Sequence, residues 1–141
     1  MTTTQLWLQS SMFTIEPDED QQTNPGCYGR QLAHWLAGQL QQSWPAAEVI
    51  AEDWGWCIVV QRQPFLLWVG CSNVLDINEA GGSGTPSKQD QIVWSCFVEA
   101  EIPLLRKLWR KPDTQPAVKS LFGQIRQIIA AEPLHRLCES P

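Results

Sequence analysis

The string Glu52-Asp53-Trp54-Gly55-Trp56 sets two carboxylates beside two indoles, the residue types that build a sugar site or a general acid–base pair. Adjacent side chains on a strand point to opposite faces, so Glu52 and Asp53 address one bond only if a turn intervenes. The simpler reading is a strand entry. The acids sit in a turn, Gly55 permits close backbone packing and the tryptophans fill a core. A binding surface built on Trp54 or Trp56 is the functional alternative.

Gly81-Gly82-Ser83-Gly84 has the composition of a phosphate loop. Such a loop needs a following helix with its amides aimed at the anion, and usually a lysine just inside it. Here Thr85-Pro86-Ser87-Lys88 leads into a strand pattern, so residues 76–90 read as a flexible surface loop.

A nucleophile needs a base within hydrogen-bond reach. His34 and His135 are the only imidazoles, and neither stands in a G-x-S-x-G or H-E-x-x-H string. No catalytic residue is assigned, and the chain reads as a non-enzyme. Cys27, Cys57, Cys71, Cys96 and Cys138 form no C-x-x-C pair, and neither histidine has a Cys or His three or four residues away. That spacing implies no metal and no cofactor. Reduced, mostly buried thiols are the expectation, with a Cys57–Cys71 disulfide as the minor alternative.

Charge narrows the partner class. Residues 1–56 hold seven acids and one base, Arg30, for a net of −6; residues 57–141 hold eight acids and nine bases, for +1, giving −5 in all. An acidic first half repels phosphate, which argues against direct nucleic-acid binding, and favours encounter with a basic protein surface. The small basic cluster Arg106, Lys107, Arg110 and Lys111 reads as a solvated helix face. The opening Met-Thr-Thr-Thr-Gln-Leu-Trp lacks the basic and apolar regions of a secretory signal. Apolar runs such as Phe65–Val69 are too short to span a bilayer, so the expected address is cytoplasmic, away from membranes.

These residues must be positioned by a core rich in tryptophan, of which the chain has eight among 141 residues. A strand is expected over Gln5–Ile15, with Trp7, Phe13 and Ile15 on one parity. The acidic loop 16–24 follows, carrying Glu16, Asp18, Glu19 and Asp20. Asn24 and Pro25 can start a helix that aligns Tyr28, Leu32, Trp35, Leu36 and Leu40 and ends near Ser43. Val49-Ile50 can open a sheet. Trp54–Arg62 and Phe65–Cys71 are apolar on both faces and read as central strands, the first with Trp54, Trp56, Ile58 and Val60 together. Gln91–Glu99 is a further strand, with Ile92, Trp94, Cys96 and Val98 on one parity. A short helix is expected from Pro103. A longer one aligns Val118, Leu121, Phe122, Ile125, Ile128 and Ile129, capped by Asp113 or Thr114 and ended by Pro133. Residues 133–141 read as a tail. The expected fold is a single α+β domain of order β-α-β-β-β-α-α. An antiparallel sheet of about four to five strands carries the helices on one face.

The segment Asn24-Pro25-Gly26-Cys27-Tyr28-Gly29-Arg30-Gln31-Leu32-Ala33-His34-Trp35-Leu36, with Glu52-Asp53-Trp54-Gly55-Trp56, resembles a group of small uncharacterised proteobacterial proteins. In these a Tyr-Gly-x-x-Leu-x-x-Trp-Leu helix precedes an Asp-Trp-Gly-Trp strand. The likeness covers residues 13–100 and transfers no catalytic or ligand residue. In size, acidity and lack of a catalytic set, the chain is also similar to the small α+β immunity proteins of bacterial toxin systems. That likeness implies an inhibitory binding protein that neutralises a protein partner such as a bacterial toxin. The expected partner-binding residues are Glu16, Asp18, Glu19, Asp20, Glu52, Asp53 and Trp54. Two alternatives stay open: a phage-type acidic inhibitor of a nucleic-acid enzyme, and a small enzyme or ligand-binding domain. The latter would use a pocket between sheet and helices, lined by Trp54, Trp56, Trp68 or Trp94.

Overall fold

The computed structural model describes residues 4–74, 92–102 and 113–139. The loop expected over 76–90, with its Gly81-Gly82-Ser83-Gly84 string, lies outside the described residues. So does the short helix expected from Pro103, with its basic cluster.

The described elements are β1 (Gln5–Ser10), α1 (Arg30–Leu40), β2 (Glu48–Glu52), β3 (Gly55–Gln61), β4 (Leu66–Asn73), β5 (Trp94–Glu101), α2 (Gln115–Ala131) and β6 (His135–Cys138), with a 3-10 turn at Glu19–Gln21. Among the described residues these strands form a six-stranded antiparallel sheet of order β2-β3-β4-β5-β1-β6. The α+β class and the antiparallel sheet agree with the sequence reading, but the strand count and order differ. Val49-Ile50 sits inside a full edge strand, and the expected tail supplies the strand at the other edge.

Register assigns the two faces. Trp56 pairs with Cys71 and Cys71 with Cys96; Ile58 pairs with Val69 and Val69 with Val98. Directly opposed residues share a face. These side chains, with Leu6, Leu8 and Trp94, therefore lie on the inner face. There they join Leu32, Leu36 and Leu40 of α1 and Val118, Leu121, Ile125 and Ile129 of α2 in one buried core. The spacing of those helical positions presents one apolar stripe to the sheet, and each fully buried Leu or Ile contributes about 1.5–3 kcal/mol. Trp94 and Phe13 are enclosed, and Phe13 also meets Trp35 edge-on at 5.8 Å between ring centroids.

Three boundary differences have local causes. β1 stops at Ser10, whose hydroxyl accepts the Met12 amide at 3.0 Å. The chain turns there, so Leu6, Leu8 and Ser10 point inward, and the parity shared by Trp7, Phe13 and Ile15 carries no meaning. Helix α1 begins at Arg30 rather than beside Pro25. Asn73 pins the preceding segment outside the helix, its Oδ1 accepting the Tyr28 amide at 2.9 Å and its Nδ2 donating to the Gly26 carbonyl at 3.2 Å. Gly29 then takes φ +139°, and a Cβ there would lie 2.9 Å from the Cys71 carbonyl oxygen. Finally, Cys57 pairs with Gly70 and points to the outer face, whereas Cys71 points inward. The sheet itself therefore separates the two sulfurs of the Cys57–Cys71 alternative. All five cysteines are free thiols, and the opposed inner pair is Cys71 and Cys96.

Candidate functional site

The acidic segment folds into a knot at the start of α1. Glu19 is fully buried. Its Oε1 accepts the amides of Gly29 at 2.7 Å and Arg30 at 3.0 Å, and its Oε2 accepts the Glu16 amide at 2.8 Å. A carboxylate here satisfies helix-start amides that have no partner within the helix and meets the positive end of the helix dipole. The Arg30 guanidinium pairs with Glu16 at 2.6 Å and Asp18 at 2.8 Å, and lies 5.4 Å from the centre of the Trp56 ring. Asp20 accepts the Gly26 amide at 3.1 Å and the Tyr28 hydroxyl at 3.4 Å. These carboxylates are thus engaged within the chain, and Glu19 has no exposed surface. Asp18 remains largely exposed on its outer side.

Glu52, Asp53 and Trp54 occupy the turn from β2 to β3, and Glu52 and Asp53 are exposed. The Asp53 carbonyl accepts the Asn24 amide at 2.8 Å, which ties the acidic segment to this turn. Trp54 does not share a face with Trp56. β3 starts at Gly55, and the turn before it resets the alternation, so Trp54 folds onto the outer face. There its ring meets Trp68 at 5.6 Å and Phe97 at 5.3 Å between centroids, and Trp68 meets Phe97 at 5.6 Å. Trp56 and Trp94 are buried on the inner face. The four tryptophans proposed to line a sheet–helix pocket are therefore divided by the sheet.

Ile50, Val59 and Leu66, with Trp54 and Trp68, line a groove of about 260 Å³ on the outer face. Glu52 stands on its lining near the β2–β3 turn; Glu101, opposite Leu66 in register, stands on it further along the sheet. Arg62 also lines it, paired with Glu48 at 3.2 Å. Cys57 lies on the lining with its thiol pushed up to about 12, first by burial and then by the negative charge of Glu52 and Glu101. A thiol so held stays protonated at neutral pH and is a poor nucleophile. The Trp68 Nε1–H is buried with no hydrogen-bond partner among the described residues.

The sequence reading placed Trp54 and Glu52 at a surface but missed Phe97, Glu99 and Glu101 as a set. Their signal is the odd parity of β5, which alternates with the apolar even positions. Elsewhere, His34 is exposed on α1, and His135 packs its ring 4.7 Å from Trp35 while its Nδ1 stands 3.1 Å from the Ile129 carbonyl. Among the described residues no group of three or more His, Cys, Asp or Glu side chains is placed to hold a metal ion. No described helix is long and apolar enough to cross a membrane. No family model, curated protein or solved structure matches the chain.

Proposed function

We propose that this protein is an inhibitory, immunity-type binding protein that neutralises a protein partner through the outer face of its sheet. One observation carries the reading. Trp54, Trp68 and Phe97 form a half-buried aromatic plate on the face opposite the helices, with carboxylates beside it. Large rigid aromatic rings are what anchor protein-binding hot spots, and charges around such an anchor supply orientation and encounter rate. The protonated state of Cys57 favours binding over covalent chemistry at this groove. Trp54 belongs to the plate, Glu52 lines the groove beside it, and Asp53 shares the β2–β3 turn with both. The knot of Glu16, Asp18, Glu19 and Asp20 serves by fixing α1 and the β2–β3 turn at one end of the sheet.

The test is stoichiometric. The purified chain is used to isolate its partner from cells that encode both, and the partner's activity is measured as the chain is titrated in. Neutralisation at one equivalent, lost in a Trp54→Ser/Trp68→Ser variant that keeps its fold, supports the reading. If no partner is inhibited, and cells lacking the chain grow unharmed beside the genes that neighbour it, the reading fails.

A further inference from the structure

We infer that the outer-face groove receives a basic segment of that protein partner, with arginine or lysine stems lying on the rings of Trp54 and Trp68 and their cationic heads meeting Glu52 and Glu101. The inference rests on the protein-binding reading and names the chemistry of the contact. Three features of the groove lead to it.

The first is charge. Register and alternation put Glu48, Glu52, Glu99 and Glu101 on the outer face between β2 and β5. The described cation on that stretch of face is Arg62, and its guanidinium is already paired with Glu48 at 3.2 Å. Glu52 and Glu101 line the groove with no described cation against them. At the Cys57 sulfur, which also lines the groove, both carboxylates oppose ionisation and Arg62 acts the other way as the smallest influence.

The second is surface type. The walls beside these carboxylates are indole and aliphatic. A side chain that suits both parts has a long apolar stem and a cationic end. Arginine and lysine have that form; the guanidinium also stacks on aromatic faces and is less strongly hydrated than an ammonium. An anionic segment would meet repulsion at both carboxylates, and a wholly apolar one would desolvate them without a partner.

The third is shape. The groove runs from the β2–β3 turn at Trp54 to Leu66, with one carboxylate near the turn and the other beyond the aromatic plate. A segment with two spaced cations matches that arrangement better than a single small ion does.

The test uses the full chain and two short acetylated peptides, one with alternating arginine and leucine and one with citrulline in place of each arginine. Citrulline keeps the shape and removes the charge. The indole N–H signals of Trp54, Trp68 and Trp94 are followed by NMR. The arginine peptide is expected to shift Trp54 and Trp68, to leave the enclosed Trp94 unmoved, and to bind at least tenfold more tightly than the citrulline peptide. The Glu52→Gln/Glu101→Gln variant should lose that tenfold preference. Equal binding of the two peptides, or shifts confined to the opposite face, overturns the proposal. So does a change of the Trp54 and Trp68 signals, with no peptide added, on replacing Arg106, Lys107, Arg110 and Lys111 by Gln, because the chain's own bases would then be the occupant. Against the isolated partner, loss of neutralisation in the tryptophan variant with full activity in Glu52→Gln/Glu101→Gln overturns the cationic contact alone. Full activity in both variants overturns the protein-binding role of this face as well.

Discussion

The ring of Phe97 lies over Gly70, and a Cβ added at Gly70 would stand 2.2 Å from the ring's Cζ. The two residues face each other across β4 and β5, so the missing side chain at 70 is what lets Phe97 lie down between Trp54 and Trp68.

Replacing Gly70 by Ala should therefore lift Phe97 off the sheet and loosen the aromatic plate. The expected loss is about 2 kcal/mol, in the range of overpacked sites, read from urea unfolding. Near-UV circular dichroism should change with it, because the rings no longer keep their mutual angles. Combining Gly70→Ala with Phe97→Ala should cost less than the sum of the single changes, since the clash is then gone.

Glu19 should be the most sensitive acid in the chain. Glu19→Ala leaves the amides of Glu16, Gly29 and Arg30 without their acceptor. Buried donors left unpaired cost about 1–3 kcal/mol each, so a loss of about 3 kcal/mol or more is expected in thermal or urea unfolding. Glu19→Gln keeps one acceptor oxygen and should lose less. Equal, small effects of both changes would show that water replaces the carboxylate.

Asn73 gives an independent test of the same region. Its amide group binds the backbone of Tyr28 and Gly26 at once. Asn73→Ala should destabilise by about 2 kcal/mol, and hydrogen exchange should speed up first at the Tyr28 amide. Protection unchanged at Tyr28 would contradict the strap.

Cys57 makes the protein sensitive to alkali. Its folded-state value is raised to about 12 from an ordinary 9.0, so the folded form holds the proton more tightly than the unfolded form. The resulting stability is complete below pH 9 and falls away as pH rises from about 9 toward 12. Urea midpoints should hold steady from pH 7 to about 8.5 and fall above it, and the Cys57→Ala variant should fall less steeply. Alkylation of Cys57 by iodoacetamide at pH 8 should be slow in the native protein and faster in Glu52→Gln/Glu101→Gln, which removes part of the field opposing ionisation.

Much of the architecture was legible in the residues. Ile92, Trp94, Cys96 and Val98 alternate as a strand must, and Val118, Leu121, Ile125 and Ile129 recur as a helix must; both sets are buried. β6 was not legible. His135–Cys138 is short and half-exposed, with polar His135 and Arg136 adjacent rather than alternating with apolar residues, and it becomes a strand because β1 offers a free edge, pairing Leu8 with Leu137 and Ser10 with His135. The inner and outer sets of β3 and β4 were both visible as apolar, which marked the strands as central without saying which rings met helices.

The sequence by itself determined the α+β class, the central strands and a surplus of tryptophan around an acidic turn. These are periodic or compositional properties, and each is local. Only the tertiary structure decided which indoles belong to the core and which form a surface. Alternation restarts at every turn, so Trp54 and Trp56, two residues apart, end on opposite faces of the sheet. The use of Glu19 was likewise decided in three dimensions, because its partners at Gly29 and Arg30 are brought to it by the loop between them rather than by any spacing along a helix or strand.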